Sequence, residues 1–111
     1  MMFLSEQLSN SISAALEKFT GTQRQLRILK HVSGGSINQC YQLEWGGMQL
    51  FLKVNSSLRF PEMFQMEAKG LERISATNSM KAPAVIAFDT AGEEQFLLIE
   101  WIERGTNSSA S

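Results

Sequence analysis

Apolar residues recur along the chain at two different spacings, and these spacings predict the order of its helices and strands. Near the N-terminus the apolar positions recur at steps of three and four residues, which predicts an amphipathic helix that ends near Gly21 (Leu4, Leu8, Ile12, Leu16 and Phe19). A second helix is predicted over 61–77, with proline in its first turn and one apolar stripe (Phe64, Ala68, Leu71 and Ile74). Both helices are therefore expected to pack by one face.

The segments between and after these helices are typical of strands. Residues 27–32, 39–45 and the strand that contains 50–54 precede the second helix, and Gly46-Gly47 predicts a hairpin turn between the last two. After Pro83 breaks the chain, 85–88 and 96–102 read as two further strands joined by a polar turn over 90–93. The run 96–102 is almost continuously apolar, which indicates a strand buried on both faces. The order predicts an α+β fold with an antiparallel sheet.

Composition narrows the class of protein without naming a function. The chain has 111 residues, of which 43% are hydrophobic, and a formal net charge of −1, which favours a single soluble domain. We expect no nucleic-acid or membrane partner, no signal peptide and a cytoplasmic location. Cys40 is the only cysteine, so neither an internal disulfide nor a cysteine-rich metal site is expected, and we predict no metal site.

Lys53 is unusual because it lies in the middle of an apolar strand. Alternation along the strand places Leu50, Leu52 and Val54 on one face and Phe51 and Lys53 on the other. Helical geometry places Glu67 inside the apolar stripe of the second helix, where a carboxylate needs a cation. We predict that Lys53 is this cation. The alternatives are a solvated lysine on an open sheet face and a glutamate that turns outward near the helix N-terminus.

A glycine-containing turn precedes the predicted hairpin that includes the Lys53 strand. Gly34-Gly35-Ser36 could let backbone N–H groups approach phosphate oxygens, although many such turns only reverse the chain. The turn is not a Walker A loop, because the Gly-Lys-Ser/Thr ending is missing. His31, the only histidine, has no carboxylate or cysteine spaced to act with it.

The order of these features, the glycine-containing turn, then the lysine on a strand and then the glutamate on a helix, is the order found in a protein-kinase-like small lobe. The segments 33–38, 51–55, 63–71 and 96–103 resemble those of the fructosamine kinase / ketosamine-3-kinase family, relatives of aminoglycoside and choline kinases. The resemblance covers most of 27–105. It implies a five-stranded antiparallel sheet with a helix corresponding to the kinase αC helix and an additional N-terminal helix. Residues 1–104 would form the N-terminal, ATP-binding lobe, and 105–111 a flexible tail or the start of a linker.

The resemblance also implies roles for individual residues. Lys53 would hold the α- and β-phosphates of ATP as a catalytic residue, with Glu67 fixing its ammonium group. The turn would cover the phosphates (Gly34, Gly35, Ser36, Ile37 and Asn38). Cys40 and Phe51 would lie on the adenine side of the sheet. The main chain of Glu100 and Ile102 would face the adenine edge, with Ile99 behind them.

One part of the family pattern is missing from this sequence. Family members carry a His-Gly-Asp-type catalytic loop and a later aspartate for Mg²⁺, whereas His31 is followed by Val32. We therefore expect Mg²⁺, the C-terminal lobe and a ketoamine substrate only in a full-length enzyme, and no turnover by this polypeptide alone. Two alternatives remain. The chain could be a non-catalytic module that forms a homodimer through apolar surface near Phe51, Trp101 and Ile102, or a lobe of an aminoglycoside or choline kinase-like phosphotransferase.

Overall fold

A helix, three strands, a second helix and two further strands follow one another along the chain, in the predicted order. The computed structural model describes residues 4–33, 38–77 and 84–101. The elements are α1 (Glu6–Thr20), β1 (Leu26–Ser33), β2 (Gln39–Trp45), β3 (Met48–Ser56), α2 (Met63–Thr77), β4 (Val85–Ala91) and β5 (Glu94–Glu100).

The five strands form one antiparallel sheet in the order β1-β2-β3-β5-β4. Gly46 and Gly47 form the turn of the β2–β3 hairpin, as predicted. β5 lies between β3 and β4 and pairs with both strands, so the β4–β5 hairpin joins the sheet next to β3. The predicted α+β fold with a five-stranded antiparallel sheet and two helices is confirmed.

Helix α1 covers one face of the sheet. Its N-terminus is capped by Ser5, whose Oγ accepts a hydrogen bond from the Leu8 N–H at 3.2 Å, and its C-terminus by Gly21 at φ 80°. The predicted stripe is buried at Leu8, Ile12 and Leu16, where it packs on inward-facing strand residues (Leu43, Trp45, Leu50, Leu52, Val54, Phe96 and Leu98). The stripe does not extend to Phe19, which is 55% exposed because it lies in the last turn, beside an open cleft.

Helix α2 covers the other face. Phe64 and Ala68 are buried against Leu97 and Ile99, and Phe51, Leu71 and Val85 pack at the margin of this cluster. Consecutive residues of β5 therefore alternate between the two clusters, which confirms the prediction of a strand buried on both faces. The side chain of Ile74 lies outside the described residues.

Three predicted boundaries were wrong. α2 begins at Met63 rather than at Pro61, because Glu62 has φ 68° and the helix cannot pass through that left-handed conformation. β4 continues to Ala91, which is buried opposite Glu94, so the turn shortens to Gly92-Glu93. β5 ends at Glu100, and the predicted break at Pro83 and strand residue Ile102 lie outside the described residues.

Neither α1 nor α2 has the length and apolar character that crossing a bilayer would require, within the ranges described.

Candidate functional site

Strand register brings four of the predicted site residues onto the sheet face that α2 covers. Cys40 of β2 pairs with Lys53 of β3, and Phe51 pairs with Ile99 of β5. Directly paired residues of antiparallel strands project from the same face, and residues two apart on one strand share a face. Cys40, Phe51, Lys53 and Ile99 therefore form one surface, opposite the α1 core. Cys40 and Ile99 are buried, and Phe51 and Lys53 are half-buried.

Lys53 and Glu67 form an ion pair across the gap between sheet and helix. Lys53 Nζ donates a hydrogen bond to Glu67 Oε2, and the two side chains are 23% and 28% exposed, respectively. Glu67 reaches the sheet because it follows Phe64 by three residues and precedes buried Ala68, on the inner side of α2. The predicted pairing is confirmed, and both alternatives, a solvated lysine and an outward glutamate, are wrong.

The chemistry available to this pair follows from its geometry. A lysine ammonium carries three donors, and Glu67 is its salt-bridge partner among the described residues. The carboxylate restrains the flexible lysine side chain, while partial exposure leaves the ammonium open to a ligand. A cation held in this way suits an anionic group such as a phosphate.

Only the last residue of the predicted phosphate-covering turn, 34–38, is described. Gly34, Gly35, Ser36 and Ile37 lie outside the described residues, whereas Asn38 is described and half-buried. Ser33 pairs with Cys40, which in turn pairs with Lys53. β1 therefore ends in the same row of the sheet as Lys53, and β2 begins one residue before that row.

The residues predicted at the adenine edge lie at the end of β5. The Glu100 N–H donates to the Ala84 carbonyl at 2.9 Å, and Glu100 Oε1 accepts from the Ala84 N–H at 3.2 Å. Trp101 packs against Phe51, with ring centroids 5.9 Å apart and planes inclined by 47°. Ile102 lies outside the described residues. The side chain of Glu100 is thus bonded to the segment before β4, and an aromatic pair borders the surface that contains Lys53.

A cleft of about 400 Å³ lies at the same end of the sheet but on the α1 side. It is lined by Phe19, Met48, Gln49, Leu50, Ala84, Ile86, Glu100 and Trp101. Among the residues that the structure describes, Glu100 is the one ionisable side chain in this lining, and it is acidic. The described lining is otherwise mostly apolar, in contrast to the cationic Lys53 surface.

Sequence reasoning missed a group of buried amide side chains beside the ion pair. Asn55 and Gln95 are only 7% and 6% exposed, and they are hydrogen-bonded to each other and to Asn38 and Phe60. The available signal was a polar amide, Gln95, at the start of an apolar strand buried on both faces, since such a group needs partners.

Comparison with known proteins places this geometry in a family. The model of the fructosamine kinase family matches residues 8–111. The chain is 34% identical over 101 residues to a probable ketoamine kinase from Synechocystis, covering 91% of this chain and 34% of that protein. It is also 34% identical over 90 residues to a chloroplastic protein-ribulosamine 3-kinase from Oryza sativa subsp. indica, covering 77% of this chain and 25% of the relative.

Solved structures agree with these sequence relationships. A candidate fructosamine-3-kinase from Haemophilus somnus superposes with a TM-score of 0.78 at 25% identity, over 87% of this chain and 32% of that one. The aminoglycoside phosphotransferase APH(4)-Ia gives a TM-score of 0.60 at 15% identity, over 87% of this chain and 30% of that one, which shows a shared fold alone. The predicted kinase-like fold is confirmed, and the chain spans about a third or less of these proteins. Because the family model matches nearly the whole chain, the protein belongs to the fructosamine kinase family.

Proposed function

We propose that this chain is the ATP-binding lobe of a kinase and that Lys53 contacts the phosphates of the nucleotide. The observation that carries the proposal is the Lys53–Glu67 ion pair on a sheet face that also presents Cys40 and Phe51. Glu67 fixes the ammonium, and the charge of the ammonium offsets the charge of the phosphates.

The adenine ring would occupy the apolar part of the same surface. Phe51 is half-buried. Ile99, which pairs with Phe51, and Cys40, which pairs with Lys53, are buried on the same face of the sheet. A flat apolar surface with nearby main-chain polar groups is suited to a purine base. We assign the polar contacts to the main chain of Glu100 and Ile102, with Ile99 behind them, and the phosphate cover to 34–38.

The reaction proposed for the whole protein is transfer of the terminal phosphoryl group of ATP to a sugar hydroxyl of a ketoamine adduct. Family membership supports this acceptor, because the relatives carry the names ketoamine kinase and ribulosamine 3-kinase. Within 4–33, 38–77 and 84–101 no three His, Cys, Asp or Glu residues are grouped to hold a metal ion. We assign the Mg²⁺ ligands and the catalytic base to a C-terminal lobe, because a relative such as the Synechocystis protein is about three times as long as the part that this chain matches, and we propose that this chain alone does not turn over substrate. A cytoplasmic location is part of the same proposal.

Titration of the chain with ATP, followed by amide chemical shifts in NMR spectra, tests nucleotide binding. Wild type is expected to show saturable shifts in residues of β2, β3 and β5 that face α2. Lys53→Ala should raise the Kd about tenfold or more, since a hydrogen bond to a charged group contributes about 1.5–3 kcal/mol. Lys69→Ala, at an exposed position of α2, removes the same charge and should leave the Kd unchanged. Equal effects of the two substitutions would contradict the proposal.

Self-association is a second candidate, which the Phe51–Trp101 pair favours. Both side chains are half-buried and lie in contact at one end of the α2-covered face. Two copies could bury this apolar surface against each other. Sedimentation equilibrium tests this candidate: a mass that rises with concentration in wild type and stays monomeric in Trp101→Ser supports it, and a monomer at all concentrations rejects it.

A further inference from the structure

We infer that Asn55 and Gln95 are positioning residues of the nucleotide site. Their buried carboxamides hold Asn38 and the start of α2 in fixed places relative to Lys53. The inference rests on the proposed function, because the quantity that it predicts is ATP affinity.

The contacts of Asn55 reach three different segments of the chain. Asn55 Nδ2 donates to Asn38 Oδ1 at 2.9 Å and to Met63 Sδ at 3.2 Å. Asn55 Oδ1 accepts a hydrogen bond from Gln95 Nε2 at 2.7 Å. One side chain of β3 therefore joins the residue before β2, the first residue of α2 and the start of β5.

Gln95 extends the network to the loop between β3 and α2. Its Nε2 also donates to the Phe60 carbonyl at 2.6 Å. Both protons of each carboxamide thus have an acceptor, in a place where Asn55 and Gln95 are almost fully removed from water. A buried network in which every amide N–H has an acceptor favours one arrangement of its members, because another arrangement leaves a donor without a partner.

The network lies next to the ion pair. Asn55 follows Lys53 by two residues on the same face of β3, and it pairs with Gln95 just as Lys53 pairs with Leu97. The separation along the strand is about 7 Å, two residues of rise. Met63 precedes Glu67 by four residues, so both lie on the same side of α2.

This arrangement links the three parts that the proposed site requires. Asn38 belongs to the segment assigned to the phosphates, Asn55 extends from the Lys53 strand, and Met63 begins the helix that carries Glu67. Loss of the Asn55 carboxamide would release Asn38 and the start of α2 together, without removing any group that touches the nucleotide.

A pair of leucine substitutions separates positioning from a purely structural role. Asn55→Leu leaves Asn38 without its donor and Gln95 with only one acceptor, so both stability and ATP affinity should fall. In Asn55→Leu/Gln95→Leu, two partners become apolar together, which is expected to restore part of the stability. The double variant still lacks the bond to Asn38. Its ATP affinity should therefore stay low, while its stability recovers.

The test measures the ATP Kd by NMR titration and the free energy of unfolding by urea for each variant. We expect Asn55→Leu and the double variant to raise the Kd about three- to tenfold, the equivalent of one lost hydrogen bond. Gln65→Leu, which also replaces a carboxamide by leucine but on the exposed surface of α2, should not alter the Kd. If Asn55→Leu does not fold, the double variant provides the measurement.

The possible failures are distinct. Wild-type ATP affinity in both variants, or affinity that recovers in step with stability, overturns the inference while leaving nucleotide binding intact. Absence of ATP binding by wild type, or binding that Lys53→Ala does not weaken, overturns the proposed function and this inference with it.

Discussion

The Lys53 ammonium donates a hydrogen bond to the Glu67 carboxylate and thereby joins the middle of β3 to the second turn of α2. Both side chains keep about a quarter of their surface exposed, at 23% and 28%. The pair is therefore partly shielded from water but still open to a ligand, which distinguishes it from a surface ion pair such as Arg27–Glu44, where the arginine is 61% exposed.

A double-mutant cycle should show that the Lys53–Glu67 pair stabilises the fold. With Lys53→Met and Glu67→Gln, we expect a coupling energy of about 1 kcal/mol, because the charges are partly removed from solvent. The matched cycle on Arg27 and Glu44 should give less than about 0.5 kcal/mol. Urea unfolding measures both. A coupling at Lys53–Glu67 no larger than that of the surface pair would contradict this view of the site.

The α1 core should depend on individual strand residues. Leu52 of β3 is fully buried in the cluster that α1 covers. Leu52→Ala is expected to lower the free energy of unfolding by about 2–5 kcal/mol. Leu58→Ala makes the same change at a side chain that is 70% exposed and should cost less than about 0.5 kcal/mol. Similar losses in the two variants, measured by urea unfolding, would show that Leu52 is not part of the core.

Sequence patterns predicted the features that depend on local periodicity. Alternation along β3 correctly placed Leu50, Leu52 and Val54 in the α1 core and Phe51 and Lys53 on the opposite face. Helical spacing placed Glu67 on the inner side of α2, so the ion pair could be predicted from two local patterns that meet.

The remaining features depend on contacts between distant segments. The Asn55–Gln95 bond exists because β5 pairs with β3, and no local spacing specifies that register. The start of α2 was missed because Glu62 adopts a left-handed conformation that its residue type does not signal. The roles assigned to Cys40, Glu100 and Ile102 stay predictions.

The β2–β3 turn should not tolerate a side chain at its first glycine. Gly46 has φ 54°, and an added Cβ would overlap the side chain of Arg24, which donates a hydrogen bond to the Gly46 carbonyl at 3.0 Å. Gly46→Ala should cost about 1–2 kcal/mol. In contrast, Gly70→Ala, within α2 and facing open space, should stabilise by about 0.5–1 kcal/mol. Thermal unfolding of the two variants should give shifts of opposite sign.

Stability should fall at high pH through Tyr41. Burial raises the pKa of Tyr41 above its ordinary value of 10.0, and negative charge on Glu94 and Cys40 raises it further. Because the pKa of Tyr41 is higher in the folded state, neutral Tyr41 contributes to the free energy of unfolding. This contribution is fully present below the pKa of the unfolded chain and is lost as the pH rises through the pKa of the folded protein.

Absorbance of the tyrosinate reports on Tyr41 alone, because the chain contains one tyrosine. The folded protein should titrate above the midpoint of the urea-unfolded chain. Tyr41→Phe should lose less stability than wild type as the pH rises past 10. A folded midpoint at or below the unfolded one would refute this expectation.

The most direct test of the central claim compares the binding of ATP and adenosine to wild type and Lys53→Ala. If Lys53 contacts the phosphates, the substitution should weaken ATP about tenfold or more and leave adenosine affinity unchanged, since adenosine lacks the charged group. Lys53→Ala that weakens both ligands equally, or neither, would contradict the assignment of the Lys53–Glu67 pair to the phosphates.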